Sequence, residues 1–137
     1  MEAVILAVDY YNTTVKDEPG QAYRILSELA SAEVNLLAFS AVPIGPEHTQ
    51  LVLFPDNVEQ LSRAAQKRGL SLAGPQRAFL IQGDDALGAL AEIHNKLSDA
   101  KINVYASTGV TDGRGGYGYI LYVKGTDYDR AAQTLGV

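Results

Sequence analysis

Residues 17–35 of the chain read DEPGQAYRILSELASAEVN, and residues 85–103 read DALGALAEIHNKLSDAKIN. The two stretches lie 68 positions apart, and this shift superimposes three polar or glycine pairs: Asp17 on Asp85, Gly20 on Gly88, and Asn35 on Asn103. It also superimposes two apolar pairs: Ile25 on Ile93 and Leu29 on Leu97. The chain is therefore an internal duplication, and the polar residues that recur in both copies are the first candidates for a functional site.

The match continues towards the end of each copy. Residues 51–54, LVLF, fall on residues 119–122, YILY, with the same shift. The register then slips by one position, so that RAAQKRG at residues 63–69 falls on RAAQTLG at residues 130–136. The repeat predicts two units, residues 1–69 and residues 70–137.

Each copy has the same predicted order of elements. An apolar run, at residues 4–8 and 79–81, precedes a helix whose apolar residues recur at helical spacing. A β-hairpin follows, with arms at 34–42 and 51–54 in copy one and at 102–110 and 119–123 in copy two. Two pairs predict capping boxes on the helices that close the copies: Asp56 with Glu59, and Thr126 with Asp129.

This β-α-β-β-α order lacks the last strand of a ferredoxin-like β-α-β-β-α-β unit. In copy one, Leu70 to Ala73 is the predicted closing strand. Copy two ends at Val137, with no residues left for such a strand. We therefore predict that the N-terminal run Ala3 to Val8 completes the sheet of copy two, which would otherwise keep an apolar open edge.

The composition argues against several classes of protein. With 137 residues, 47% of them hydrophobic and 20% charged, the chain has the balance of a globular protein rather than a disordered one. A net charge of -5 argues against a nucleic-acid partner. The absence of cysteine removes disulfides, thiol catalysis and thiolate metal sites. The acidic start and its short apolar run predict neither a signal peptide nor a membrane anchor, so the cytoplasm is the expected location.

The repeated segment resembles the ACT domain. The signature of that family is a strand, then Asn/Asp-x-Pro-Gly, an amphipathic helix, a short turn that ends in Asn, and a second strand. DEPG at residues 17–20 and Asn35 fit it in copy one. DALG at residues 85–88 and Asn103 fit it in copy two, except that Leu87 stands where the family has proline. The resemblance covers nearly the whole chain as a tandem pair. It implies an α+β fold of two ferredoxin-like units, each an antiparallel sheet with its helices on one face.

The resemblance also implies a function. ACT domains are regulatory, and a small molecule, usually an amino acid, binds between two paired domains. In amino-acid-binding members the contacts come from the loop before the first helix and from the Asn that opens the second strand. Carried over to this chain, these residues are Asp17, Gly20, Asn35, Asp85, Gly88 and Asn103. Because the chain resembles the free-standing tandem members, it is expected to be a non-catalytic metabolic sensor, with a metabolic enzyme as a candidate partner.

Physical chemistry supports the same loops. The N-terminus of a helix offers unpaired N–H groups to a carboxylate, so the amides at Gln21 and Ala89 join the predicted site. Asp17 and Asp85 would then face an α-ammonium group. Copy one is favoured, because Pro19 fixes the first helical turn. The structural alternative is that the aspartates cap the helices and that the asparagines belong to the helix-to-strand turns.

The remaining polar features suggest neither a cofactor nor a metal. GRGGYG at residues 113–118 joins two predicted strands, so it is better interpreted as a hairpin tip than as a phosphate-binding loop. His94 lies on the apolar stripe of its helix and is expected to pack there.

Three functions stay open: an amino-acid sensor, an interaction module that regulates a partner enzyme without a ligand, and a small enzyme. The sensor is favoured over the enzyme, because no pair of nucleophile and base stands out in the sequence. We also expect a homodimer, because small units commonly pack against a second chain.

Overall fold

The computed structural model describes residues 3–137, which form six strands and four α-helices. The strands are β1 (Val4–Lys16), β2 (Leu36–Ile44), β3 (His48–Pro55), β4 (Ala73–Asp84), β5 (Val104–Thr111) and β6 (Gly116–Val123). The helices are α1 (Gln21–Ser31), α2 (Val58–Arg68), α3 (Ala89–Asp99) and α4 (Tyr128–Leu135), and a 3-10 turn (Gly125–Asp127) precedes α4. The predicted α+β class is confirmed.

The hydrogen-bonded strand order is β2-β3-β1-β4-β6-β5. β3 pairs antiparallel with both β1 and β2, and β6 pairs antiparallel with both β4 and β5. Both hairpins contain a register shift near the start of their first arm, between Leu36 and Ala38 and between Val104 and Ala106. The sheet therefore consists of two ferredoxin-like halves, as the repeat predicts.

The chain divides into two compact units, Asp9–Gln76 and Arg77–Val137, and the second also contains the residues up to Val8. The predicted exchange of the N-terminal strand is therefore confirmed. Ile5 packs against the core of the second unit, and a Cβ placed on Gly83 would lie 3.3 Å from the Cα of Ala3.

The division falls at other points than the expected boundary between residues 69 and 70. β1 and β4 are both long, and each completes one unit with its first residues and begins the other with its last. The apolar run at residues 4–8 is thus not the first strand of copy one, which consists of the residues from Asp9 to Lys16. Of the predicted closing strand Leu70 to Ala73, only Ala73 lies in β4, whereas Leu70 and Leu72 pack against the core from outside the sheet.

The cores of the two units repeat one another. The core of Asp9–Gln76 contains Tyr11, Ile25, Leu29, Val34, Leu51, Leu53, Leu61 and Ala64. The other core contains, in the same order, Phe79, Ile93, Leu97, Ile102, Tyr119, Leu121, Tyr128 and Ala131. Each pair is related by the shift of 68 positions, or of 67 after the slip, so the repeat in the sequence is a repeat of packing.

Both predicted capping boxes are wrong. α2 is capped by Asn57, whose side chain accepts a hydrogen bond of 3.0 Å from the Gln60 amide, because the helix begins one residue later than the sequence suggested. Asp56 instead accepts a hydrogen bond from the side chain of Asn35. At α4 the 3-10 turn occupies the place of the expected cap, and Asp127 precedes the helix without a side-chain capping bond.

Candidate functional site

The helices α1 and α3 both begin after a glycine in the left-handed conformation. Gly20 has φ 86° and Gly88 has φ 82°, and neither helix start receives a capping hydrogen bond from a side chain within residues 3–137. The interpretation of Asp17 and Asp85 as caps is therefore wrong. A left-handed residue is needed at this position, and glycine adopts that conformation without steric cost. The amides of Gln21 and Ala89, predicted to bind a carboxylate, instead donate to the carbonyls of Glu18 at 3.4 Å and Ala86 at 3.1 Å. The next two amides of each first turn have no partner inside the helix, so these are the ones available to a ligand.

The loop before each helix is tied to the hairpin of its own copy. The Asp17 amide donates to the Glu47 carbonyl at 2.8 Å, and the Asp85 amide donates to the Gly115 carbonyl at 2.8 Å. Both aspartate side chains are exposed. Each copy thus holds a carboxylate, a helix start and a hairpin tip close together.

In copy two these parts enclose a depression of about 450 Å³. Its lining includes Asp85, Gly88, Ala89, Gly109, Thr111 and Tyr117. A second depression, of about 760 Å³, lies on the other side of the same loop and carries Asp84, Glu92 and Lys96. Three of the predicted site residues, Asp85, Gly88 and Ala89, therefore share one concave surface with the hairpin.

The corresponding depression in copy one is smaller and more acidic. It measures about 350 Å³, and Lys16, Asp17, Glu18, Pro46, Glu47 and His48 line it. Asp17 belongs to this lining, whereas Gly20 and Gln21 do not. Pro19 favours copy one in the sequence, but the concave surface that reaches a helix start is the one in copy two.

The two predicted asparagines lie at the other ends of the helices. Helices α1 and α3 have 11 residues each, and a helix of that length rises roughly 16 Å. Asn35 donates from Nδ2 to Asp56 Oδ2 at 3.2 Å, and its carbonyl accepts from the Asp56 amide. Asn103 is exposed and lines a separate depression of about 500 Å³ with His94, Ser98 and Lys101. Neither asparagine shares a depression with the loop of its own copy.

The hairpin tip of copy two is ordered by one carboxylate. Asp112 Oδ1 accepts hydrogen bonds from the amides of Arg114, at 2.6 Å, and Gly116, at 3.1 Å. These two amides hold the pKa of Asp112 below its ordinary value. The segment 113–118 therefore forms the hairpin loop and the start of strand β6, as the sequence predicts, and it does not lead directly into a helix.

Sequence reasoning missed two parts of the copy-two depression, the end of β5 and Tyr117. Burial raises the pKa of Tyr117, because it disfavours the phenolate. The signal that could have found them is the pairing of the hairpin arms, which places Thr111 opposite Tyr117. His94 packs as expected, and its Nε2 lies 2.5 Å from the buried Tyr119 hydroxyl.

Within residues 3–137, no group of three or more His, Asp or Glu side chains is arranged to hold a metal ion. None of the helices in this part of the chain is long and apolar enough to cross a membrane.

No protein-family model matches the chain, and no curated protein matches it. Several solved structures are similar to the chain. Protein BT0572 from Bacteroides thetaiotaomicron aligns with a TM-score of 0.80 at 13% identity, covering 96% of this chain and 88% of that one. The regulatory subunit of aspartate kinase from Thermus thermophilus, in a ligand-free form, aligns with a TM-score of 0.62 at 11% identity over 99% of this chain and 95% of that one.

A structure of aspartokinase alpha and beta subunits gives a TM-score of 0.60 at 15% identity, covering 98% of this chain and 95% of that one. The chain has the fold of a tandem pair of ACT domains. At these identities the likeness concerns the fold alone.

Proposed function

We propose that this protein is a non-catalytic regulatory protein that binds an amino acid or a related zwitterion beside the start of α3. The observation that supports this proposal is the depression of about 450 Å³ in which Asp85, the uncapped helix start at Gly88 and the hairpin tip meet. Its volume is in the range of small-molecule sites.

The chemistry of this surface is complementary to a zwitterion. The α-carboxylate accepts hydrogen bonds from the first-turn amides of α3, where the helix dipole also favours negative charge. The α-ammonium group binds the carboxylate of Asp85. The ligand side chain lies against Leu90 and Tyr117, which line the same depression. Glycine at position 88 lets the carboxylate approach the backbone, because no described atom lies within 4 Å of the place of a Cβ.

Copy one is a weaker candidate for the same ligand. Its depression carries three carboxylates, those of Asp17, Glu18 and Glu47, near Lys16. Like charges at close range repel, so this surface disfavours the carboxylate end of an amino acid. We therefore propose that the ligand binds in copy two. The corresponding residues of copy one serve as controls in the experiments; they are Asp17, Gly20, Gln21 and Asn35.

The regulatory part of the proposal is supported by the structural comparison. The aspartate kinase chain from Thermus thermophilus is described as a regulatory subunit, and it shares the fold over nearly its full length. A shared fold does not by itself transfer a ligand or a partner. A metabolic enzyme is the class of partner that this likeness suggests.

A thermal-shift screen over the common amino acids tests the proposal. A ligand that binds only the folded state at one hundred times its dissociation constant stabilises it by about 2.7 kcal/mol. One amino acid, or a small group of chemically related ones, should therefore raise the melting temperature at millimolar concentration. If none does, the sensor proposal fails, and the ligand-independent interaction module becomes the better explanation.

The duplication provides a matched pair of variants. Asp85→Asn removes a charged hydrogen bond to the ligand and should weaken binding about ten- to one-hundred-fold. Asp17→Asn is the same change in copy one and should leave the affinity unchanged. Calorimetry with the amino acid found in the screen measures both. Loss of affinity in Asp17→Asn alone would move the site to copy one, and no loss in either variant would place it elsewhere.

A further inference from the structure

Tyr117 of β6 lies over a glycine of the neighbouring strand β4. The two strands pair Tyr117 directly with Gly83, and a Cβ placed on Gly83 would lie 3.0 Å from Cε1 of the Tyr117 ring. Carbon atoms attract each other best at roughly 3.5–4.0 Å, so a side chain at position 83 would come too close to the ring. The absence of a side chain on Gly83 therefore lets the Tyr117 ring occupy this place.

Copy one has no aromatic ring at this position. Its counterparts of Gly83 and Tyr117 are Val15 and Thr49, which also face each other across paired strands. The depression beside the same loop of copy one is lined mainly by charged side chains. The change from Val15 and Thr49 to Gly83 and Tyr117 thus gives copy two an aromatic wall that copy one lacks.

Tyr117 stands between two depressions of different character. It lines both the depression of about 450 Å³ and the one of about 760 Å³. The larger one carries three charged residues, Asp84, Glu92 and Lys96. Of the described residues that line the smaller one, Asp85 alone is charged. The Tyr117 ring therefore separates a charged surface from a nearly uncharged one.

The rest of the smaller depression is apolar or neutral. Leu90 and Ala89 line it from α3, and Thr111 lines it from β5, opposite Tyr117. In the proposed binding mode, the first-turn amides of α3 and the carboxylate of Asp85 hold the two charges of the amino-acid backbone. A charged ligand side chain would then lose its water without gaining an opposite charge, which is costly. An apolar side chain would instead remove apolar surface from water, which is favourable.

We propose that the ligand is an amino acid with an uncharged, apolar side chain larger than a methyl group, and that Tyr117 determines this specificity. The inference rests on the proposed function, because it names the class of ligand for the same depression. Tyr117 contributes the apolar wall against which the ligand side chain packs. One methyl group fills little of a depression of about 450 Å³, so a larger side chain is needed to reach the ring.

Calorimetry on the full chain tests the class of ligand. Leucine and phenylalanine are the apolar probes, and glutamate, lysine and asparagine are the charged and polar ones. At least one apolar probe should bind about ten-fold or more tightly than any of the others. If a charged or polar probe binds most tightly, this inference is overturned while the proposed amino-acid sensor stands. If no amino acid binds, the proposed function fails and this inference fails with it.

Tyr117→Thr gives copy two the residue that copy one has at this position. It should weaken the binding of the apolar probe about ten-fold or more, but that of alanine much less, because a methyl group does not reach the ring. The ratio of the two affinities is the readout, since a purely structural role of Tyr117 would lower both by the same factor. Tyr117→Phe keeps the ring and should keep the preference for apolar side chains. An unchanged ratio in a folded Tyr117→Thr variant overturns the role of Tyr117.

Tyr105→Thr is the matched control. Tyr105 is an exposed tyrosine of β5 that does not line the depression. The same chemical change there should leave both affinities as they are in the parent protein. A change of the affinity ratio equal to that in Tyr117→Thr would attribute the effect to the hairpin as a whole rather than to the aromatic wall, and would overturn the proposal.

A gain of binding provides a test that does not depend on the folding of Tyr117 variants. Thr111 is exposed, faces Tyr117 across the paired strands and lines the depression. Thr111→Lys places an ammonium group there and should shift the ratio of glutamate to leucine affinity towards glutamate about ten-fold or more, because a carboxylate side chain then has a partner. Thr111→Gln lengthens the side chain without a charge and should produce no such shift. Equal ratios in Thr111→Lys and in the parent protein would show that the ligand side chain lies outside this depression, and would overturn the inference.

Discussion

Copy one and copy two share their interior and differ at their surface. Eight buried positions correspond between the two cores, from Tyr11 and Phe79 to Ala64 and Ala131. The differences lie in the loop before the first helix, in the hairpin tip and on the outer strand, where Pro19, Ile44 and Pro43 have the counterparts Leu87, Asp112 and Thr111. The packing of apolar side chains therefore sets the fold of each unit, while the surface is free to provide different sites.

In both copies a side chain of the second helix donates a hydrogen bond to a carbonyl at the end of the first helix, but the two side chains are not at equivalent positions. In copy one the Gln60 side chain donates to the Glu33 carbonyl at 2.8 Å, at the end of α1. In copy two the Arg130 guanidinium donates to the Ala100 carbonyl at 2.6 Å, at the end of α3. Arg130 corresponds in the repeat to Arg63, one turn later than Gln60. In copy two a 3-10 turn stands where α2 has its first turn. The hydrogen bond to the end of the preceding helix therefore comes from Arg130, one turn further along the chain.

The largest difference between the copies is their dependence on the N-terminal strand, and deleting residues 1–8 tests it. Copy two should lose the backbone hydrogen bonds that join β1 to β4, at about 1 kcal/mol each, together with the packing of Ile5. Amide exchange at Phe79 and Ile81 should therefore accelerate about one-hundred-fold or more. The amides of Leu51 and Leu53, in the buried strand β3 of copy one, should keep more of their protection. Unchanged exchange at Phe79 and Ile81 would contradict the strand exchange.

A smaller effect is expected where copy two has a polar pair in place of an apolar one. His94 and Tyr119 occupy the positions of Leu26 and Leu51, and the buried Tyr119 hydroxyl bonds His94. His94→Leu leaves that hydroxyl without its partner and should cost about 1–2 kcal/mol in urea unfolding. Adding Tyr119→Phe should recover most of the loss, because both polar groups are then gone. A double variant no more stable than His94→Leu would show that the hydrogen bond is not the cause.

The two helix starts should respond equally in stability and unequally in binding. Gly20→Ala and Gly88→Ala each force a side chain into the left-handed region, at a cost of about 1 kcal/mol. No described atom lies within 4 Å of either new Cβ, so no clash separates the two variants. Only Gly88→Ala should also weaken amino-acid binding, as measured by calorimetry. Equal loss of affinity in both variants would contradict a site confined to copy two.

The elements that follow from apolar spacing are those that the sequence predicts well. The stripes of α1 and α3, the two hairpins and the exchanged strand Ala3 to Val8 are all found in the structure. The boundaries are less predictable, because β1 and β4 continue without a break from one unit into the next, and β4 does so although it contains Gly74 and Pro75. Tyr10, Tyr11 and Val15 of copy one were missed as strand residues for this reason.

The candidate site was predictable only in part. The loop residues Asp85, Gly88 and Ala89 are adjacent in sequence, so their proximity follows from local structure. Tyr117 and Gly109 reach the same depression through strand pairing, which the sequence does not specify at the level of single residues. The asparagines were grouped with the loops through the family resemblance, although roughly 16 Å of helix separates them within one unit.

The smallest expected effect is a pH dependence of one hairpin. The amides of Arg114 and Gly116 lower the pKa of Asp112, so the folded hairpin favours the carboxylate. The stabilisation is fully present above the ordinary pKa of 3.8 and is lost as the pH falls through the lower pKa of the folded state. The amide signals of Arg114 and Gly116 should therefore shift, and their exchange protection should decrease, as the pH falls below 3.8. Asp112→Asn keeps an acceptor but cannot titrate, so its hairpin should show no such step.

Copy one carries Ile44 at the corresponding position, and its hairpin is the internal control. A titration step of equal size in both hairpins, or one that persists in Asp112→Asn, would show that the carboxylate of Asp112 is not its source.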